Sequence, residues 1–461
     1  MKKTPTILAI ALAGILLSAF IGRFGTTDQP VTIPANPQRL GDAQKGRDYL
    51  VTGDYVNSGI PYKMFLSAAG KDSSNFLNRT GPNQFISHQF TALEARNGEL
   101  VVAPNCMQCH AQVFEGKLVM GLGNANIDFT DERRYGGKGL GLVETLLKTT
   151  SRSKYEASAR FLTATRTIGP SIMAPIKGVN TANRLTWMLM AHRDPQTLKW
   201  SDTPLYPFGA EVIPSDTPPW WVLKKKNGMF YTGFGRGDFA SFIMLSNLLT
   251  VGDTVEAQQV YDRMPDLLAY LHSLEPPAYS RPRNEALAAK GKQLFENHCS
   301  DCHGTYGAQE TYPNLLIPQS IIQTDSFLFK MQTTAPQFIN WYNSSWYSQG
   351  GRRARLEPFE GYIAPPLDGV WITAPYLHNG SVPTLEALLN SKARPRYWSR
   401  NFENPEYDYQ KVGWKFREEK APGSPETYNT DLPGYGNYGH YFGDLLTGDE
   451  RTAVIEYLKG I

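Results

Sequence analysis

Cysteine is scarce in this chain, with four residues in 461. Excess charge of either sign is also lacking. Lys, Arg, Asp and Glu make up 19% of the residues and the formal net charge is +3. So small an imbalance argues against a nucleic-acid partner and against a strongly steered acidic one. Glycine (41), proline (32) and tyrosine (24) are plentiful, which describes a loop-rich, aromatic-rich protein rather than a tidy helical bundle. The length allows two or three compact domains.

All four cysteines fall in two stretches, Cys106-Met107-Gln108-Cys109-His110 and Cys299-Ser300-Asp301-Cys302-His303. Each is a Cys-x-x-Cys-His motif, the attachment signature of c-type haem. The two thiols add to the two vinyl groups on one porphyrin edge, and the adjacent imidazole reaches the iron as proximal ligand. Zinc would want clustered Cys/His quartets, and a redox dithiol does not require His after both second cysteines. The spacing therefore predicts two covalently bound haem c groups, held by Cys106, Cys109, Cys299 and Cys302 and ligated by His110 and His303. No cysteine is left for a disulfide or a lipid anchor.

Lys2-Lys3 precede an uncharged run from Thr4 to Gly22. This is a positive n-region followed by an export h-region, long enough at about 28 Å to approach a bilayer core. No A-x-A cleavage site follows, so residues 1–24 read as a signal peptide or an N-terminal membrane anchor. Both readings put the body in the periplasm or its equivalent, secreted or tethered to the inner membrane. Residues 25–40, with Pro30, Pro34 and Pro37, read as an extended tether.

Two echoes divide the rest. Ala43 to Leu50 resembles Ala288 to Phe295, which leads straight into the second motif; Leu267–Leu271 matches Val454–Leu458 in amphipathic spacing. The first pair reads as the opening helices of two haem domains and the second as their closing helices. The interval from Gly46 to Cys106 is much longer than that from Gly291 to Cys299, which implies an insertion of about fifty residues in the first. Pro276, Pro277 and Pro282 cannot continue a helix. The expected organisation is an N-terminal haem c domain over 41–275, a Pro-rich linker over 276–283, and a C-terminal haem c domain over 284–461. The expected fold class is mainly α with long irregular loops, built as two class I cytochrome c-like domains. Helices are expected over Gly141–Thr165 and Phe239–Thr250, and long packed loops over 304–450.

Other motifs are weak. Gly136 to Gly141 lacks the Walker spacing, and Gly233 to Gly237 follows no clear strand. Lys224-Lys225-Lys226 is most simply a solvated face, with docking of a redox partner as its alternative. Six histidines remain besides the two proximal ones. His298 points away from its own iron, His272 and His192 read as packing residues, and His88 is a candidate cap for the first haem. Met331 stays open as a ligand of the second haem, and Met120 or Met173 of the first. Trp220 and Trp221 are either core residues or part of a route between haems.

The stretch Ala364-Pro365-Pro366-Leu367-Asp368-Gly369-Val370-Trp371-Ile372-Thr373-Ala374-Pro375-Tyr376-Leu377-His378-Asn379-Gly380 resembles a signature of the bacterial dihaem cytochrome c peroxidase superfamily. Tyr428 to Gly434 with Asn437-Tyr438-Gly439-His440 looks most like its rubber-oxygenase branch. The resemblance implies that His440 is the second ligand of the haem held by His303. His378 is read as orienting groups near the domain interface by hydrogen bonding rather than as ligating iron. The chain departs from the peroxidase pattern at Asn390-Ser391-Lys392, where a methionine is expected, and has no histidine between His110 and His192. No catalytic glutamate can be matched among Glu115, Glu132, Glu144 and Glu156. The haem on His110 is therefore expected to keep an open distal face. The function expected is a periplasmic haem oxidoreductase, in which the second haem feeds a peroxide- or oxygen-reactive first haem; a plain electron carrier is the alternative. Partners would be a small redox protein or a quinol-linked donor or acceptor, with peroxide, oxygen or an organic molecule as substrate.

Overall fold

The computed structural model describes residues 28–209 and 211–461. The predicted signal or anchor lies outside the described residues. Among those described, no helix is long and apolar enough to cross a membrane. The described residues form many helices and six small sheets of two or three strands each, with long irregular stretches between them.

The frame consists of two helix pairs, the pairs that the sequence echoes single out. Helix Ala43–Thr52 packs against Thr254–Ser273, and helix Glu285–His298 against Gly448–Leu458. Each begins at a side-chain cap that satisfies backbone N–H groups the helix itself leaves free. Asp42 accepts from Gln44 and Lys45, Asp253 from Val255 and Glu256, Asn284 from Leu287, and Thr447 forms a capping box with Glu450. Pro265 sits inside the second of these helices, Thr254–Ser273, and has no N–H to give Tyr261. Arg39 Nη2 donates to that carbonyl instead, at 3.4 Å.

A glycine marks the closest approach in both pairs. A Cβ at Gly46 would stand 1.9 Å from the Asp266 carbonyl oxygen, and one at Gly291 would stand 1.8 Å from that of Ala453. The two crossings are equivalent in the two halves, and each requires a residue with no side chain.

The insertion before the first motif contains helix Tyr62–Ala69 and a sheet of Ile60–Pro61, Leu100–Pro104 and Phe90–Glu94. The segment expected as one helix over 141–165 is two, Lys138–Thr150 and Arg152–Ile168, because the Ser151 hydroxyl caps the second. The segment from Phe239 is α-helical to Ile243 and a 3₁₀ helix over Met244–Leu249. Residues 304–450 carry short helices and strands among their loops.

The cores interleave across the Pro-rich segment. The larger contains Leu50, Tyr55, Trp220 and Leu271 together with Phe329, Trp341, Tyr342 and Tyr347. The smaller contains Phe295, Trp371, Val454 and Leu458 together with Phe114, Leu122 and Trp221. Trp220 and Trp221 thus enter different cores, so these adjacent residues tie the halves together.

Replacing either crossing glycine should wedge its helix pair apart. Gly46→Ala and Gly291→Ala are each expected to lose about 1–3 kcal/mol in chemical denaturation of the holoprotein. Gly141→Ala, at a helical position with open space around its Cβ, should instead gain up to about 1 kcal/mol.

Candidate haem sites

The second motif is delivered by the end of a helix. Helix Glu285–His298 stops at Cys299, and Ser300–His303 forms one further turn. The Nδ1 of His303 lies 2.8 Å from the Pro365 carbonyl oxygen. With Nδ1–H donating there, Nε2 keeps its lone pair for a metal. Burial lowers the pKa of His303, which favours the same neutral ring.

His440 faces it. The backbone at His440 has φ of 48°, a left-handed conformation, and its N–H donates to Ile322 at 2.8 Å. Arg394 holds the approaching loop through the carbonyls of Asn437 and Gly439, both at 2.7 Å, and that of His440 at 3.2 Å. The two imidazole centroids are 6.2 Å apart. An imidazole nitrogen sits about 2.0–2.1 Å from a first-row metal it ligates and about 1.1 Å from its own ring centre, so two opposed ligands imply centroids about 6.2–6.4 Å apart. The pair fits one iron between them. Burial, then His303 and Arg394, pushes His440 down to about 3, and its Nδ1 has no hydrogen-bond partner.

Around this pair is a mainly apolar cavity of about 250 Å³, lined by Cys299 and Cys302 as well as by both histidines. Its concave apolar wall and its two thiols suit a covalently held porphyrin. Met331 packs into the other core, so it is not placed as a ligand here.

The first motif follows a strand, Leu100–Pro104, instead of a helix. Asn105 starts its single turn by accepting from the Met107 N–H at 2.9 Å, and the turn runs directly into the hairpin Ala111–Phe114/Lys117–Met120. The His110 ring stacks on Trp220 at 4.6 Å with planes 17° apart. Burial pushes His110 down to about 4. The Pro218 carbonyl offsets this in part, although no hydrogen bond of normal geometry closes on Nδ1. A Pro-Pro carbonyl thus stands beside each proximal histidine, Pro218 for His110 and Pro365 for His303. Cys106 lies near Tyr55 and Ser246, and Cys109 near Asn180. None of the four cysteines forms a disulfide.

The remaining candidates separate clearly. Met120 packs against the cluster of Val51, Met107 and Ala111. Met173 lies between Ile172 and Ala174, members of the cluster against which Cys109 packs. His88 is buried against Phe76, with Arg79 and Asp72 as its charged neighbours. His192 bonds the Ser201 carbonyl at 2.8 Å and stacks on Trp200, a packing role as expected. His272 is held in the long closing helix beside Lys224, and His298 is exposed. Glu144 is paired with Arg166 and Lys148, Glu115 with Arg281, and Glu156 with Arg152. Trp221 is fully buried and donates to the Asp368 carbonyl at 2.8 Å.

His378 lines the second cavity without facing His303 as His440 does. It stacks on Tyr362 at 4.1 Å, and its Nε2 lies 3.1 Å from the Tyr362 hydroxyl. Its own carbonyl accepts from the Asp216 N–H at 2.7 Å.

Two cavity residues escaped the sequence reading. Asp216 accepts from the Tyr231 hydroxyl at 2.8 Å and is pushed up to about 7 by burial. No local pattern marks it. Lys226 corrects the expectation of a solvated lysine face: Lys224 pairs with Glu275 and Lys225 with Asp368 and Glu310, while Lys226 is only 8% exposed and lines the cavity. Its spacing of three and four from Leu223 and Val222 is the signal that was there to find.

Burial also pushes His378 down to about 3, so it stays neutral in the folded protein while an unfolded histidine protonates near pH 6.5. Its contribution to stability is complete above that pH and declines as pH falls from there toward 3, by at most about 1.4 kcal/mol per pH unit. His378→Gln should therefore lose less Tm than the wild type between pH 6.5 and 4.5; equal losses would show that His378 does not drive the acid sensitivity.

Two family profiles match within the C-terminal half. One, described as "Cytochrome c", covers residues 288–346, and another, "RoxA-like, cytochrome c-like", covers residues 361–399. The chain is also similar to two uncharacterised proteins of Sinorhizobium fredii. It is 36% identical to y4iJ over 30% of this chain and 26% of that protein. It is 29% identical to y4iM over 48% of this chain and 54% of that protein. The chain thus spans about a quarter of the first relative and about half of the second. Cytochrome c-like sequence accordingly surrounds the second motif, and RoxA-like sequence forms the wall that carries His378.

Proposed function

We propose that the chain is a dihaem c-type cytochrome acting as a haem oxidoreductase, with an electron-transfer haem between His303 and His440 and a peroxide- or oxygen-reactive haem on His110. The observation that carries this reading is the buried His303–His440 pair, spaced for one iron inside a cavity bordered by Cys299 and Cys302. Haem supplies one-electron exchange when both axial positions are filled by protein, and binding of peroxide or oxygen when one is left open.

The chain's own residues differentiate the two positions. Pro365 fixes the tautomer of His303, and Arg394 fixes the loop that presents His440, so both rings are held before any electron arrives. Such preorganisation keeps the cost of changing charge low. At the other position Trp220 lies flat on His110, while Pro218 and Pro219, its chain neighbours, line the cavity of His303. This short covalent segment supports the reading of Trp220 as part of the route between the haems. Export to the periplasm and use of a small redox protein or quinol-linked partner remain parts of the proposal.

His440→Ala is expected to convert one haem of two from low to high spin in EPR and optical spectra, leaving the other unchanged. An unaltered spectrum would remove His440 as a ligand. In the wild type, one high-spin ferric haem that binds cyanide or peroxide is expected. Two low-spin haems indifferent to both, and to oxygen, would mean an electron carrier without substrate turnover.

A further inference from the structure

Lys226 is the residue that neither the frame nor the ligand set accounts for. Its side chain comes from the N-terminal half, at the end of the 3₁₀ helix Trp220–Lys225, and enters the cavity bordered by Cys299, Cys302, His303 and His440. Only 8% of it is exposed. Its Nζ has one weak contact, 3.4 Å to the Phe230 carbonyl oxygen. Among the described residues no carboxylate pairs with it, and burial alone lowers its pKa, to about 8. Asp216 borders the same cavity but is engaged by the Tyr231 hydroxyl and the Thr217 N–H. The neighbouring lysines are each paired with a carboxylate, Lys224 with Glu275 and Lys225 with Asp368, which also borders the cavity.

A buried ammonium without a partner costs several kcal/mol and is retained where an anion arrives to meet it. The site reading above supplies that anion. The porphyrin edge opposite the two thioether bonds carries two propionate carboxylates, and a porphyrin attached to Cys299 and Cys302 must bring them into this cavity.

We propose that Lys226 pairs with a propionate of the haem held between His303 and His440, acting as its counter-ion and raising its reduction potential. The inference rests on the haem reading of this cavity. A positive charge near the iron favours the reduced form, so removing it favours the oxidised one. The haem on His110, attached elsewhere, should not respond.

The test is a spectroelectrochemical titration of the purified holoprotein, with both haems counted first. Lys226→Met should lower the potential of the six-coordinate haem tenfold in its one-electron equilibrium, about 59 mV, and leave the other in place. Lys226→Arg should restore it. In resonance Raman, the propionate-bending band of that haem should move in Lys226→Arg, because a guanidinium hydrogen-bonds a carboxylate differently from an ammonium. An unmoved potential in Lys226→Met overturns the proposal; should that variant fail to load haem, an unmoved band in Lys226→Arg overturns it. A lysine needed only for packing would lower Tm in both variants and shift neither readout. A wild-type protein with no haem on Cys299 and Cys302 would overturn the underlying site reading instead.

Discussion

Two neutral imidazoles opposed across 6.2 Å of buried space constrain everything built around them. Each is kept from water, which disfavours its protonated form, and to hold a metal as proposed each would need its orientation fixed by other bonds. His303 meets both demands within one helical turn, through its motif and the Pro365 carbonyl. His440 arrives from the far end of a long loop, so its placement needs more: a left-handed residue, a backbone bond to Ile322, and the guanidinium of Arg394 gathering successive carbonyls. The looseness of residues 304–450 follows from this demand. A regular helix or strand would not bring Ala364–Asn379 and Gly434–His440 onto one cavity from such separated positions in the chain.

The same constraint explains why the two cores interleave. A cavity that admits a macrocycle cannot be closed by one layer of one small domain, whose helices are already committed to each other at the Gly291 crossing. The wall is completed by the other half, through Asp216, Pro218, Pro219, Val222 and Lys226. Trp220 and Trp221, placed in different cores, anchor that shared segment at its middle. Separating the halves would open the cavity and expose both tryptophans.

How much of this was legible depends on how local each signal is. The Cys-x-x-Cys-His motifs need no fold to be recognised, because covalent attachment fixes their spacing. The two helix pairs were visible in the echo of Lys45-Gly46 and Lys290-Gly291, though not the reason for glycine there, which is a carbonyl contributed by a helix some two hundred residues away. His440 was reached only through family resemblance; nothing in Asn437-Tyr438-Gly439 announces a ligand. Lys226 was misjudged because a run of three lysines suggests solvent, whereas a short 3₁₀ helix turns each residue to a different side. Asp216 carried no signal, since its surroundings come from Tyr231 and from the backbone of His378.

The two halves share a frame but diverge at the proximal histidine, and the division of work proposed for them rests on that divergence. In both, a Pro-Pro carbonyl stands beside the imidazole. At His303 the hydrogen bond closes at 2.8 Å, and an opposing imidazole meets the ring across the cavity. At His110 the Pro218 carbonyl reaches the ring without normal hydrogen-bond geometry, and an indole is stacked on it as well. A well-formed hydrogen bond to the outer ring nitrogen makes an imidazole a stronger electron donor to a metal than a poorly aligned one does. Two strong, fixed ligands favour a site that changes oxidation state with little movement, which is the role proposed for the His303–His440 pair. The asymmetry thus resides in the loops and the Trp220 contact, and the shared helices carry none of it.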